Sequence, residues 1–182
     1  MNPNLPFPAD EKLLKQMRSK LLFTGALGIK LPLALFAGLR LDHIDPYKCE
    51  VSLPYGWRSQ NPFQSIYFAA QAMAAELSTG APCMLAIESS PASVAMLVTG
   101  MKAEFGKKAT MRSVFTCEDG LKVFEAIQHT IETGEAVRQG NRPRHRRRPR
   151  GEVRGARDLL VVRVRFGRRG PLGRAALVRP GI

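Results

Sequence analysis

The stretch NPFQSIYFAAQAMAAELS, residues 61–78, decides the fold. Asn61 is a preferred helix cap, and Pro62 suits the first helical position because it has no N–H to leave unsatisfied. The stretch therefore predicts a helix over 61–78, with Gly80 near its end. Five alanines between 69 and 75 make that helix small nearly all round. A helix without a polar face is buried, so this one is central and something wraps it. Glu76 follows the alanine run directly. A carboxylate near apolar surface tends towards a raised pKa and is a candidate general base. Equally, the helix surfaces at its far end and Glu76 is simply solvated; the residues alone leave both readings open.

Upstream, Asp10 caps a first helix in which Leu13, Leu14, Met17 and Leu21 recur at helical spacing, running to about Phe23. A Gly- and Pro-punctuated apolar stretch follows to Leu39. Leu39–Ile44 and Tyr47–Leu53 alternate with period two around Asp45-Pro46, which reads as a hairpin. His43 falls on its polar side, as a solvated strand residue. Downstream, Ala86–Glu88, Ser93–Phe105 and Thr110–Cys117 read as strands. Leu121, Phe124, Ile127 and Ile131 lie on a short helix stopped by Gly134. One buried helix among antiparallel strands makes an α+β domain, a sheet wrapped around that helix, with an extra N-terminal helix. The expected division is 1–34 for the N-terminal helix and apolar segment, 35–137 for the domain, and 138–182 for a tail.

Three widely spaced cysteines, Cys49, Cys83 and Cys117, fit neither a disulfide framework nor a zinc site. They read as small buried hydrophobes in a reducing, cytoplasmic setting. Three histidines without a cluster give no metal site. The N-terminus lacks a basic segment followed by an apolar one, so no signal peptide is expected. Residues 21–39 are long enough to span a membrane, but Lys30 at the centre costs about 2.5–3.5 kcal/mol on insertion scales. A buried or interface-covering segment is expected instead.

The start of the central helix offers chemistry. Backbone N–H groups around Phe63–Phe68 are expected to point out of it, able to stabilise a developing negative charge on a carbonyl oxygen. Asn61, Gln64 and Gln71 add neutral hydrogen-bonding groups. Amides with one carboxylate suit acyl or thioester chemistry, in which the carboxylate attacks or activates water. Lys102, Lys107, Lys108 and Arg112 form the best cluster for phosphate groups, although ordinary exposed strand charges explain them as well.

The helix resembles the central helix of hotdog-fold thioesterases of the phenylacetate-pathway type and their bacterial relatives, N-x-x-G-x-x-H-x-G-A-x-x-x-L-A-[D/E]. Asn61, Ala70, Ala75 and Glu76 match it. Gln64 stands for the first Gly, Tyr67 for the His, Ala69 for the second Gly and Ala74 for the Leu. The resemblance covers about residues 35–137. It implies a hotdog fold, Glu76 and Asn61 as catalytic residues, and a substrate site at Gln64, Tyr67, Phe68 and Gln71. It further implies a homodimer or dimer of dimers with sites between subunits, and a substrate acylated on coenzyme A or a carrier protein. No cofactor is implied beyond the substrate's coenzyme A. The substituted glycines and His leave a non-catalytic acyl-binding or structural hotdog module as the alternative.

Charge divides the chain. Residues 1–137 carry 13 Lys or Arg and 13 Asp or Glu, whereas 138–182 carry 15 Arg, no Lys, Glu152 and Asp158. The run Arg144–Arg150 suits a nucleic-acid arm, since phosphate neutralisation needs little but positive charge. Phe166 is its only aromatic, so base stacking has little to work with. The favoured reading is a shifted reading frame. Gly140–Arg148 written as GGC AAC CGG CCG CGA CAC CGC CGG C and read from the second base gives A-T-G-R-D-T-A-G. A hotdog chain often opens its last strands with such a segment. With the tail out of frame the native last strands are lost, and Leu159–Phe166 alternates enough to pair in their place.

Overall fold

A computed structural model describes residues 4–103, 105, 107–141, 144–146 and 160–168. Helices α1 (Glu11–Arg18), α2 (Lys20–Lys30) and α3 (Pro32–Ala37) lead into the hairpin β1 (Arg40–Ile44) and β2 (Cys49–Leu53). The long helix α4 (Phe68–Ser89), β3 (Val94–Ala103), β4 (Ser113–Cys117) and α5 (Gly120–Thr133) follow. Three further strands are β5 (Val137–Asn141), β6 (Arg144–Arg146) and β7 (Leu160–Arg168). All described pairings are antiparallel, in the orders β1-β2-β4-β6 and β3-β7-β5.

Helix α4 is central, as its alanines require. It packs against β2, β4 and α5. Ala70, Ala74, Ala75, Leu77, Ala81, Cys83, Leu85 and Ala86 are all buried on it. Its buried hydroxyls bond to the helix's own carbonyls: Ser78 donates to Ala75 O at 2.8 Å and Thr79 to Glu76 O at 3.0 Å. A polar atom in such a helix is thereby satisfied without leaving it. Across the core Phe124 of α5 meets Phe7 with ring centroids 5.0 Å apart. The turn between β1 and β2 is built by Asp45, whose Oδ1 accepts from the N–H groups of Tyr47 and Lys48. Beside it, Gly120 opens α5 so close to Pro46 and Tyr47 that a Cβ there would lie 2.9 Å from the Tyr47 carbonyl carbon. His43 is solvent-facing, bonded to Asp45 at 2.7 Å.

Four expectations are corrected. The central helix begins at Phe68, not Asn61, because Asn61 is spent on a turn of its own. It also continues to Ser89, so Ala86–Glu88 is helical rather than a strand. Pro82 removes one donor from the ladder. The buried flanks, Ala81, Cys83, Leu85 and Ala86, carry the helix past it. The first helix stops at Arg18, where Ser19 takes an extended conformation (φ −72°, ψ 112°). Residues 21–39, expected to be buried or to cover an interface, form α2 and α3 and are not buried within the single chain, where Leu21 is 82% and Ile29 85% exposed. No helix among the described residues is long and apolar enough to cross a membrane.

The three cysteines are free and buried, with Cys49 directly opposite Cys117 in the β2–β4 register. Burial pushes both thiols up, that of Cys117 to about 11. Of the tail, only 138–141, 144–146 and 160–168 lie within the described residues. Their backbones pair: β6 with β4, and β7 with both β3 and β5. The Arg-rich run beyond Arg146 lies outside the described residues.

Candidate active site

A cleft of about 560 Å³ opens at the start of α4. The segment leading into the helix makes one wall. Asn61 Oδ1 accepts from the backbone N–H of Phe63 at 3.0 Å and of Ser65 at 3.2 Å, a compact turn that forces the chain round before the helix. Within it Gln64 takes φ +58°, a left-handed conformation that side chains disfavour. The resembled pattern has Gly at this position, and the backbone shows why Gly suits it. The loop between β3 and β4 makes the other wall. Ala109 O accepts from Ile66 N at 2.7 Å, and Lys108 Nζ donates to Phe63 O at 3.2 Å.

Asn61, Tyr67, Phe68, Gln71, Lys107 and Lys108 all line this cleft. Gln71 is buried there, its Nε2 donating to Ile66 O at 3.1 Å. Tyr67 and Phe68 stand at the mouth in an edge-on pair, 4.9 Å between centroids. The backbone donors differ from expectation. Those of Phe63, Gln64, Ser65, Ile66 and Tyr67 are taken by Asn61, Ala109 and Ser59. Tyr67 caps the helix without a side-chain bond. Among the described residues the donors left open are therefore the first N–H groups of α4 itself, from Phe68 onward, which have no acceptor inside a helix. Phe68 lines the cleft, so an oxygen bearing negative charge is favoured there by these N–H groups and the helix dipole.

Four expected site residues lie elsewhere. Gln64 points outward beside the cleft without lining it. Lys102 is exposed on β3. Arg112 is drawn to β1 and β2, bonding Asp42 at 2.7 Å and Ser52 Oγ at 2.7 Å. Glu76 sits two turns further along α4, eight positions from Phe68, about 12 Å along the axis at about 1.5 Å per residue. Its carboxylate rests over Gly80, where a Cβ would lie 3.3 Å from Oε1. Among the described residues no donor or cation bonds it, and burial pushes its pKa up. It belongs to the one incompletely buried stripe of the helix, with Ala69, Ala72, Met73, Gly80 and Met84. Sequence reasoning missed Phe105 and Ala109, which reach the cleft from a loop distant in the chain. Phe105 beside Lys107-Lys108 was the available signal. No group of three or more His, Cys, Asp or Glu able to hold a metal comes together among the described residues.

The sequence pattern of DUF4442, a domain of unknown function, matches residues 19–138. The chain belongs to that family. Its structure is similar to OLEI01261, a protein of unknown function from Chlorobaculum tepidum. The TM-score is 0.70 at 13% identity, over 88% of this chain and 98% of that one. It is also similar to PA5026 of Pseudomonas aeruginosa, described as of unknown function and a probable thioesterase. There the TM-score is 0.59 at 17% identity, over 88% and 97% of the two chains. Thioesterase HI1161 of Haemophilus influenzae gives 0.52 at 8% identity, over 82% and 89%. No curated protein matches the sequence. These likenesses establish the hotdog fold, and the resemblance to hotdog thioesterases holds at that level.

Proposed function

We propose that this DUF4442 protein hydrolyses acyl thioesters of coenzyme A or a carrier protein, with Glu76 as general base or nucleophile. The observation that carries the reading is Glu76 itself: a half-buried carboxylate, unpartnered among the described residues, on the central helix of a hotdog fold. A carboxylate held back from water without a bonding partner is suited to taking a proton or attacking a carbonyl. The first N–H groups of α4 would receive the thioester oxygen as it gains charge. Water adds to the carbonyl carbon, the C–S bond breaks, and the thiol leaves with a proton that passes through Glu76. Asn61 acts by shaping the turn, Gln71 by bracing it, and Tyr67 and Phe68 by gripping the acyl or pantetheine portion. Lys107 and Lys108 would take the phosphates of coenzyme A.

The offset of Glu76 from the cleft supports a site shared between two chains, the carboxylate of one serving the cleft of another. Two features fit a homodimer. Among the described residues β3 pairs along one edge only, and it presents Leu97, Val98 and Met101 to solvent. A long apolar edge strand calls for a partner. The stripe around Glu76 is the part of α4 left for a second chain to cover. Three buried free thiols fit a reducing, cytoplasmic setting. The test is hydrolysis of an acyl-CoA series by wild type and Glu76→Ala. Turnover unchanged by the substitution overturns the assignment, and no turnover across the series favours the acyl-binding module.

We also infer that residues beyond the family match arise from a shifted reading frame. The match ends at residue 138, where the Arg-only composition begins, and one GC-rich choice of codons for Gly140–Arg148 spells a continuation in the adjacent frame. Sequencing the locus decides it: an Arg tail kept in frame at related loci ends the idea.

A further inference from the structure

The outward face of α2 has no counterpart in the catalytic reading. Leu27 is buried and Phe23 half-buried, which sets the inward side of the helix. At about 100° per residue the opposite side carries Leu21, Leu22, Gly25, Gly28 and Ile29, with no polar residue among them, and the exposed Thr24 lies at its border. Leu21 and Ile29 are 82% and 85% exposed. The apolar surface continues through Leu33 and Phe36 of α3, and Phe36 meets the exposed Trp57 edge-on at 5.9 Å. An exposed apolar surface of this kind marks a contact site.

Charge identifies what is contacted. Between Lys12 and Arg40 there are six Lys or Arg and no Asp or Glu. Lys20 and Lys30 are the exposed first and last residues of α2, turned away from the centre of the bare face, and neither has an acidic partner among the described residues. A second copy docked here would bring one wholly basic segment against another. An anionic lipid surface satisfies both halves of the pattern: acyl chains accept Leu and Ile, headgroups accept the lysines, and Trp suits the boundary. We propose that α2, with α3 and Trp57, docks the protein on the surface of an anionic membrane. The helix lies in the interface rather than crossing it; an 11-residue helix is far too short to span.

Trp57 is the only tryptophan, so its emission reports contact at this face. The full chain is mixed with vesicles of phosphatidylcholine alone and of phosphatidylcholine with phosphatidylglycerol. With the anionic vesicles the protein floats and Trp57 emission moves to the blue; with the neutral ones partition is about tenfold weaker. Leu21→Gln with Ile29→Gln, both on exposed positions, abolishes the blue shift and lowers partition about tenfold. Three outcomes overturn the proposal. One is vesicle binding unchanged in the double variant. Another is binding without a Trp57 shift that disappears at high salt, which assigns it to the Arg-rich tail. The third is a double variant that loses its oligomeric state while wild type ignores vesicles, which assigns the face to a second copy.

Discussion

Replacing Gly80 with Ala separates stability from catalysis at a single position. Gly80 lies inside α4, where Ala is favoured over Gly by about 0.8–1.0 kcal/mol. The added Cβ meets only Glu76: Oε1 at 3.3 Å and Cδ at 3.9 Å. Both atoms are the free end of a flexible side chain, so the carboxylate yields by a few tenths of an ångström, at a cost of a few tenths of a kcal/mol for so few contacts. The net gain is about 0.5 kcal/mol, a rise in Tm of about 1–2 °C for a chain of this size. The methyl group also displaces water from the carboxylate and shifts its aim. Desolvation of a carboxylate raises its pKa, and a base must be ionised to act. The acid limb of the hydrolysis profile therefore moves to higher pH, and kcat falls about tenfold through misplacement. Thermal unfolding and the pH dependence of acyl-CoA hydrolysis are measured on the same preparation. A Tm lowered by several degrees refutes the placement of Gly80 beside Glu76 in a continuous helix. An unshifted acid limb with unchanged kcat refutes the role of that carboxylate.

Glu76→Gln is expected to cut hydrolysis by about 10²–10⁴-fold, the span of a lost general base. Burial raises the folded pKa of Glu76, so the folded state holds its proton more tightly than the unfolded chain. Wild-type stability therefore falls as pH rises from the ordinary Glu range through the raised folded value, and the Gln variant lacks that fall. Urea midpoints against pH for the two proteins check the sign. Gly120→Ala drives a Cβ into the backbone of Pro46 and Tyr47, which cannot turn aside, and costs about 3 kcal/mol by denaturant unfolding. Gln64→Gly relieves a left-handed residue, a cost of about 1–2 kcal/mol, against about 0.5–1 kcal/mol of added unfolded-chain entropy. A stabilisation of about 0.5–1 kcal/mol is expected, and a loss would place Gln64 in a contact the backbone does not reveal.

The elements legible in the chain are those whose signals act on their own backbone. Residues 69–75 declare a buried helix because no polar face exists to turn outward. Asp45-Pro46 declares the hairpin, since Asp45 bonds the N–H groups two and three positions on. Gly134 ends α5 in the left-handed conformation that Gly adopts freely. Glu76 was singled out by the same reasoning, as a charge at the end of an apolar run, and it is half-buried and unpartnered among the described residues.

What tertiary structure decided lies in partners distant along the chain. Asn61 and Pro62 look like a helix start, yet the donors of Ile66 and Tyr67 go to Ala109 and Ser59, and the helix waits until Phe68. Gly80 looks like an ending, yet packing on both sides of Pro82 continues α4 to Ser89. The phosphate cluster drawn from Lys102, Lys107, Lys108 and Arg112 divides, because Asp42 and Ser52 capture Arg112 while the β3–β4 loop carries Lys107 and Lys108 to the cleft. Composition along residues 21–39 told how apolar that segment is but not which way it faces. Local sequence sets the propensity and chemistry of each segment; which acceptor claims a donor, and which face meets water, depends on groups that only the fold brings within reach.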